Sequence, residues 1–441
     1  MLYTAGSNAA GQLGTGTFDD QASPVLITPT TAICGCVQLA GGANHSVLLD
    51  SQGIVFVAGD NTYGQLGLCT NPPTSGVQVF VHAAIDTSID DPVVHIACGW
   101  NTTFAVTRSG IVWVAGSNSH GQAGLAQSAK QTHLGSTSGF VCISIVCPQL
   151  PPISQIACGL KHTLFLALDG SLWGCGSNKY GELLDASDPD HVSIKSLVFH
   201  PQRIHGLGGI VRSMACGQHH SIAIVTAPQD GKPLDESTLL VKTFGRNRYG
   251  QLGISPQVSP HTQGSLADKL ISVSVQLPFA ELPQSVFAGW FTSGVVCVSG
   301  RLIMWGRNDH GQLGSLRNTS AASTTDSLSL LDPSWTPHTV LYGDRPESHS
   351  SIRTTLSSET PLSVRTVASG SEHTVVAAVL QLDEGSPKVQ CLSWGWNEHG
   401  NCGVANNSDV LSPTSITDLP PAIVGCVLGA GAGHTLIWIS H

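Results

Sequence analysis

The sequence predicts an all-β protein, a seven-bladed β-propeller with about four short strands per blade. Three observations predict it. A segment built on Gly-x-Asn-x-x-Gly-Gln-Leu-Gly returns seven times, and a second built on Gly-x-x-His-Ser/Thr returns seven times between its copies. Apolar runs joined by Asp-Gly or Ser-Gly turns fill the intervals.

The first segment spans Gly6 to Gly14, Gly59 to Gly67 and Gly116 to Gly124, where Ala123 replaces the Leu. It continues from Gly176 to Leu184, with Glu182 for Gln, then Gly245 to Gly253, Gly306 to Gly314 and a divergent Gly395 to Gly403. Its asparagines are Asn8, Asn61, Asn118, Asn178, Asn247, Asn308 and Asn397. Each ends an apolar strand such as Ile111 to Ala115. The Gly admits a backbone conformation that a side chain forbids, and the Asn bonds neighbouring backbone in a tight turn. The second segment carries His45, Thr102, His162, His220, Thr292, His373 and His434 at its fourth position, each followed by Ser or Thr. After it comes a strand such as Thr163 to Leu168, then a turn such as Asp169-Gly170, a strong hairpin signal.

The phase of the repeat predicts how the ring closes. The sequence opens on a Gly-x-Asn strand and ends on a Gly-x-x-His-Thr strand, so residues 1–20 are expected to pair with residues 428–440 in one shared blade. The expected organisation is one propeller over 1–441. A Ser/Thr-rich, partly mobile insertion occupies 317–363, with a strand at Trp335–Leu341, and smaller inter-strand insertions occupy 227–238 and 381–389.

Composition narrows the function. Only 11% of residues are charged and the net charge is −10, with 19 basic residues against 29 acidic. That disfavours direct nucleic-acid binding, which rests on Lys/Arg–phosphate contacts. The sequence shows no signal peptide and no 18-residue apolar stretch, so no membrane association is expected. Thirteen cysteines at irregular spacing read as reduced thiols.

Candidate chemistry is sparse. The repeated histidines suggest a ring of imidazoles, but each is read as fixing its own blade, and Thr102 and Thr292 hold the same position without being ligands. Cys98, Cys158 and Cys216 share another position, read as small and buried. Gly429-Ala430-Gly431-Ala432-Gly433 imitates a nucleotide loop but is a copy of the second segment. No nucleophile–base pair, phosphate loop, metal set or cofactor site is apparent. What varies between copies is the pair of residues after the second-segment Gly, which includes Trp100-Asn101, Lys161, His219, Trp290-Phe291 and Glu372. Variable loop residues on a fixed frame present a surface, and aromatics there either act as interface anchors or pack against the neighbouring blade. Arg246, Arg248 and Arg307, with His310, form a local basic patch suited to an acidic partner.

The two interleaved segments, present in all seven copies, resemble the regulator-of-chromosome-condensation family of seven-bladed propellers. The resemblance implies a non-catalytic binding scaffold. Its founding branch implies the alternative of guanine-nucleotide exchange on a Ran-like small GTPase, although the basic tail of that branch is missing here. The photoreceptor branch implies Gly-Trp-Arg-His-Thr repeats, which this sequence lacks. The bare architecture is closer to the fungal alpha-tubulin-suppressor branch, which implies binding of the small zinc protein of diphthamide biosynthesis in support of Elongator tRNA modification. A further alternative is a partner-binding propeller in a ubiquitin or cytoskeletal pathway. The expected partner is thus another protein, a small GTPase or a small zinc protein. The expected form is a monomer of the cytoplasm, with the nucleus as a second compartment.

Overall fold

The computed structural model describes residues 1–28, 32–68, 76–125, 139–184, 196–227, 239–256, 272–314, 334–341, 362–380, 388–421 and 423–440. They form seven antiparallel four-stranded sheets, a seven-bladed β-propeller. Blade I comprises Cys36–Gly41, His45–Asp50, Val55–Asp60 and Gly76–His82. Blade II comprises Val93–Cys98, Thr102–Thr107, Val112–Gly116 and Val141–Cys142, the last running into the short helix Ile143–Val146. Blade III comprises Ile153–Cys158, His162–Ala167, Leu172–Ser177 and Leu197–Arg203. Blade IV comprises Ile210–Cys216, His220–Thr226, Leu239–Gly245 and Val273–Val275. Blade V comprises Pro283–Ala288, Thr292–Cys297, Leu302–Gly306 and Ser334–Leu341. Blade VI comprises Leu362–Ser369, His373–Leu380, Lys388–Gly395 and Val410–Ser415.

Blade VII closes the ring with two strands from each end of the sequence, in the order Gln21–Ile27, Leu2–Gly6, His434–Ser440, Gly425–Ala430. Leu2 faces Trp438 and Gly6 faces His434 in an unbroken register. Ser334–Leu341 is the fourth strand of blade V rather than an extra strand within an insertion. Lys388 and Val389, at the end of the expected 381–389 insertion, belong to the third strand of blade VI. The Ser/Thr tracts and the 228–238 stretch lie outside the described residues.

The core sits between blades. Second strands such as His162–Ala167 are buried along their whole length. Phe104 of blade II meets Phe165 of blade III edge-on, with centroids 5.9 Å apart, inside one apolar cluster shared by the two sheets. First strands of neighbouring blades line a central channel enclosing about 400 Å³.

The repeated polar residues join one blade to the next. Ser46, Thr103, Thr163, Ser221, Ser293 and Thr435 each donate their hydroxyl proton to a first-segment backbone carbonyl of the preceding blade, at 2.6–2.9 Å. At the remaining junction the Trp394 indole donates to the Gln312 carbonyl at 2.9 Å. At five of these junctions the hydroxyl also contacts histidine Nε2 of the preceding blade, at 2.9–3.0 Å. The hydroxyl has already used its proton, so the histidine must donate, which places the ring proton on Nε2. The histidines therefore bond to the next blade, not within their own as the sequence reading had it. The imidazole folds back onto its own segment's glycine. A Cβ at Gly217 would overlap the His220 ring, and the equivalent glycines stand in the same relation to His45, His162, His373 and His434.

Removing the first strand should open the closing sheet. Deleting Met1 to Gly14 is expected to give insoluble or protease-sensitive material, and a soluble monomer with the full-length melting temperature would overturn the closure argument. The histidines predict acid lability. Burial holds His45 and His373 at about 4 and His162, His220 and His434 at about 3, against an ordinary 6.5. The folded rings stay neutral while the unfolded chain takes up protons below 6.5, so their stabilisation is complete above that pH and drains away towards 4 and 3. Melting temperature should fall steeply over this window. His220→Thr, which copies blades II and V, should be less stable at pH 7 and show a shallower fall.

Candidate functional site: the loop face

In an antiparallel blade the turn between the first two strands and the loop between the last two lie at the same end. Both repeated segments therefore emerge on one face of the ring. They are stitched together there. The backbone amide of the residue between Gly and Asn (Ser7, Asp60, Ser117, Ser177, Arg246, Arg307 or Trp396) donates to the carbonyl of the residue before the histidine position, at 2.7–3.0 Å in all seven blades. The preceding glycine has φ between +100° and +117° in every copy, and a Cβ there would collide with that same carbonyl.

Each asparagine ties the loop that follows. Its Oδ1 accepts the amide five residues on, at 2.8–3.0 Å, in Asn8, Asn61, Asn118, Asn178, Asn247, Asn308 and Asn397. The Gln of the segment accepts the amide two residues before it, at 2.7–2.9 Å. Glu182 does so in blade III with a carboxylate oxygen at 2.7 Å. Backbone bonds also run around the channel mouth from blade to blade, among them Gln218 N to Trp290 O at 3.0 Å and Trp290 N to Ser371 O at 2.8 Å. The frame uses backbone and the repeated polar groups, leaving the remaining side chains free to differ.

Those side chains are brought to one centre. Trp100 of blade II and Trp290 of blade V come from non-adjacent blades, yet they meet across the channel mouth with centroids 5.2 Å apart. Sequence reading offered a docking role or packing against a neighbouring blade, and the contact observed is a third arrangement, a lid over the axis. Phe291 packs edge-on against Trp290 at 6.3 Å and Tyr249 at 4.9 Å. Trp100, Trp290, Phe291, Asn101, Lys161, His219 and Glu372 are all half-buried. His219 contacts the Tyr180 ring at 5.1 Å and lies 3.6 Å from the Glu182 carboxylate.

The basic patch divides in two. Arg307 is ion-paired with Glu372 and, at 2.5 Å, with Asp309, while His310 contacts Asp409 at 2.8 Å. Burial pushes the Asp309 carboxyl up, and its bonds to Arg307 and Gln312 more than offset that, leaving it below its ordinary range. Burial leaves Glu372 above its ordinary range despite Arg307. Arg246 and Arg248 instead lie over the Tyr180 and Tyr249 rings, at 4.7 and 5.1 Å. Arg307 is therefore part of a neutralised network, and among the described residues the cations of this face without a carboxylate partner are Arg246 and Arg248 of blade IV, with Lys161 and Lys179 of blade III. Tyr180 and Tyr249, which organise this sector, were missed in the sequence. Their signal was an aromatic just before the second Gly of the first segment.

Cys98, Cys158 and Cys216 line the channel, and burial pushes their thiols up, Cys158 to about 12. Among the described residues no three His, Cys, Asp or Glu side chains converge as metal ligands do. No described helix is long and apolar enough to cross a membrane.

The RCC1-like domain model matches residues 1–437. The chain belongs to that family. It is 30% identical over 99% of its length to the mouse secretion-regulating guanine nucleotide exchange factor, of which it covers 83%. Among solved structures, human WBSCR16 superposes over all of both chains with a TM-score of 0.74 at 17% identity. Prp20p of Saccharomyces cerevisiae, described with its binding to Gsp1p and histones, superposes over 99% of this chain and 90% of its own with a TM-score of 0.70 at 19% identity. Those two likenesses establish the shared fold.

The tryptophan lid makes a spectroscopic prediction. Two indoles this close should give an exciton couplet in the ultraviolet circular dichroism spectrum, lost in both Trp100→Ala and Trp290→Ala. Each substitution is expected to cost about 1–2 kcal/mol, because the rings are half-exposed and bear no frame bond.

Proposed function

We propose that this protein performs no covalent chemistry, that it binds a small GTPase on the loop face, and that binding speeds release of the guanine nucleotide. The observation that carries the reading is the aromatic lid. Trp100, Trp290 and Phe291 form a half-exposed apolar centre at the middle of the face, ringed by charged side chains. A central aromatic anchor with a polar rim is how protein interfaces are built. The relative that is 30% identical across nearly the whole chain bears the name of an exchange factor, which supports the GTPase as partner class. Exchange requires tighter binding to the nucleotide-free GTPase than to the loaded one, a differential-binding effect that leaves no catalytic motif.

One observation favours a second reading, a scaffold that leaves nucleotide release unchanged. Glu372, the single carboxylate among the variable turn residues, is held by Arg307 and is not free to oppose a phosphate or magnesium site. A small zinc protein is a partner of that kind.

The assay is release of a fluorescent guanine nucleotide from a panel of small GTPases, with catalytic amounts of this protein. Acceleration is expected with at least one, and it should be lost in the Trp100→Ala/Trp290→Ala double variant while the fold persists. No acceleration across the panel, with stable capture of a protein that is not a GTPase, would replace exchange with scaffolding.

A further inference from the structure

Position-by-position comparison of the seven loops exposes one, in blade IV, whose buried side-chain donor has no partner among the described residues. In the first segment the Gln side-chain amide donates to an oxygen near the start of its own loop. Gln65 Nε2 reaches Asp60 Oδ2 at 2.9 Å in blade I, and Gln312 Nε2 reaches Asp309 Oδ1 at 3.0 Å in blade V. Gln12 and Gln122 reach the hydroxyls of Ser7 and Ser117 at 3.4 Å. Blade V adds a guanidinium, since Arg307 Nε and Nη2 lie 2.8 and 2.5 Å from Asp309 Oδ2. One carboxylate is thus bracketed by an amide on one oxygen and an arginine on the other.

Blade IV repeats the bracket without the carboxylate. Arg246 stands at the position of Arg307 and Gln251 at that of Gln312, but Arg248 replaces Asp309. Gln251 Oε1 is fixed by the Tyr249 amide at 2.8 Å, so its Nε2 faces as it does in the other copies. That Nε2 is fully buried and has no hydrogen-bond partner among the described residues. An orphaned buried donor is costly, so its presence calls for an explanation. The Arg246 guanidinium is held over Tyr180 with no carboxylate partner among the described residues.

We propose that the blade IV loop is a receptor for a carboxylate supplied in trans, an Asp or Glu side chain of the protein partner, gripped by Arg246 and Gln251 as Arg307 and Gln312 grip Asp309. The inference rests on the reading that this face binds a protein and names the chemistry of one contact. Lys161, Lys179 and Arg248 add positive field around the receptor and favour an acidic approach. A phosphate would also meet a guanidinium. The fit favours a carboxylate, because this bracket holds one in blade V of the same molecule.

The test uses the full chain, a fluorescent hexaglutamate peptide read by polarisation, and thermal melting. Wild type should bind hexaglutamate and not hexalysine. Arg246→Gln should weaken binding by about tenfold or more, whereas Lys179→Gln, which removes the same charge outside the bracket, should weaken it far less. Arg248→Asp supplies the carboxylate in cis. It should abolish binding and raise the melting temperature by about 1–3 °C, while Arg248→Ala should not raise it. Equal losses for Arg246→Gln and Lys179→Gln, or no rise for Arg248→Asp, would overturn the proposal. Displacement of the peptide by inorganic phosphate at concentrations where acetate has no effect would also overturn it, in favour of a phosphate site. Neither readout contains a GTPase, so failure of exchange and failure of the receptor are distinguishable.

Discussion

The serine or threonine hydroxyl after the histidine position has one proton, and at six of the seven blade junctions that proton goes to a carbonyl of the preceding blade. Everything around the junction follows from this. A histidine reaching the same oxygen must donate, so its proton sits on Nε2, and burial keeps the ring neutral with an Nδ1 unpartnered among the described residues. The glycine of the same segment cannot carry a side chain, because the imidazole fills the space. The carbonyl that receives the proton is in turn fixed by the knotted Gly-x-Asn loop. Blade spacing is therefore set by short, directional bonds as well as by apolar packing between sheets.

This division of labour makes the fold readable and the surface less so. The residues that build the frame recur seven times, so their spacing alone revealed the blade number, the position of the strands and the closure through both ends. Asn8, Asn61 and their equivalents could be assigned to turns because each acts within a few residues of itself. The histidine bonds were only half legible. The sequence shows that they recur but not that they cross to the next blade, since the partner hydroxyl lies in another repeat. The Trp100–Trp290 contact was hidden for a stronger reason. The two rings come from blades II and V and meet only because the ring brings opposite loops to its axis.

The charges on the face follow the same logic. Arg246, Arg248 and Arg307 look alike in sequence, yet Asp309 and Glu372 neutralise one and not the others. The distinguishing signal was present, in Arg-Asn-Asp in blade V against Arg-Asn-Arg in blade IV. It became interpretable only once Gln251 and Gln312 could be compared in space. Repetition inside one chain supplies its own controls, because a copy with a complete set of bonds shows what another copy lacks.

The closing blade also constrains the order of events during synthesis. Leu2–Gly6 can pair with Gln21–Ile27 as soon as both leave the ribosome, but its other edge waits for His434–Ser440. Until His434–Ser440 emerges, blade VII is a lone hairpin, and two-stranded hairpins are marginal in water. Its inner strand, Leu2-Tyr3-Thr4-Ala5-Gly6, is wholly buried in the finished ring and offers an open apolar edge meanwhile. Six blades can stack vectorially as they emerge, but the ring is completed in a single late step. Of the propeller's strands, Leu2–Gly6 therefore waits longest with an open edge and is the one most exposed to aggregation during synthesis.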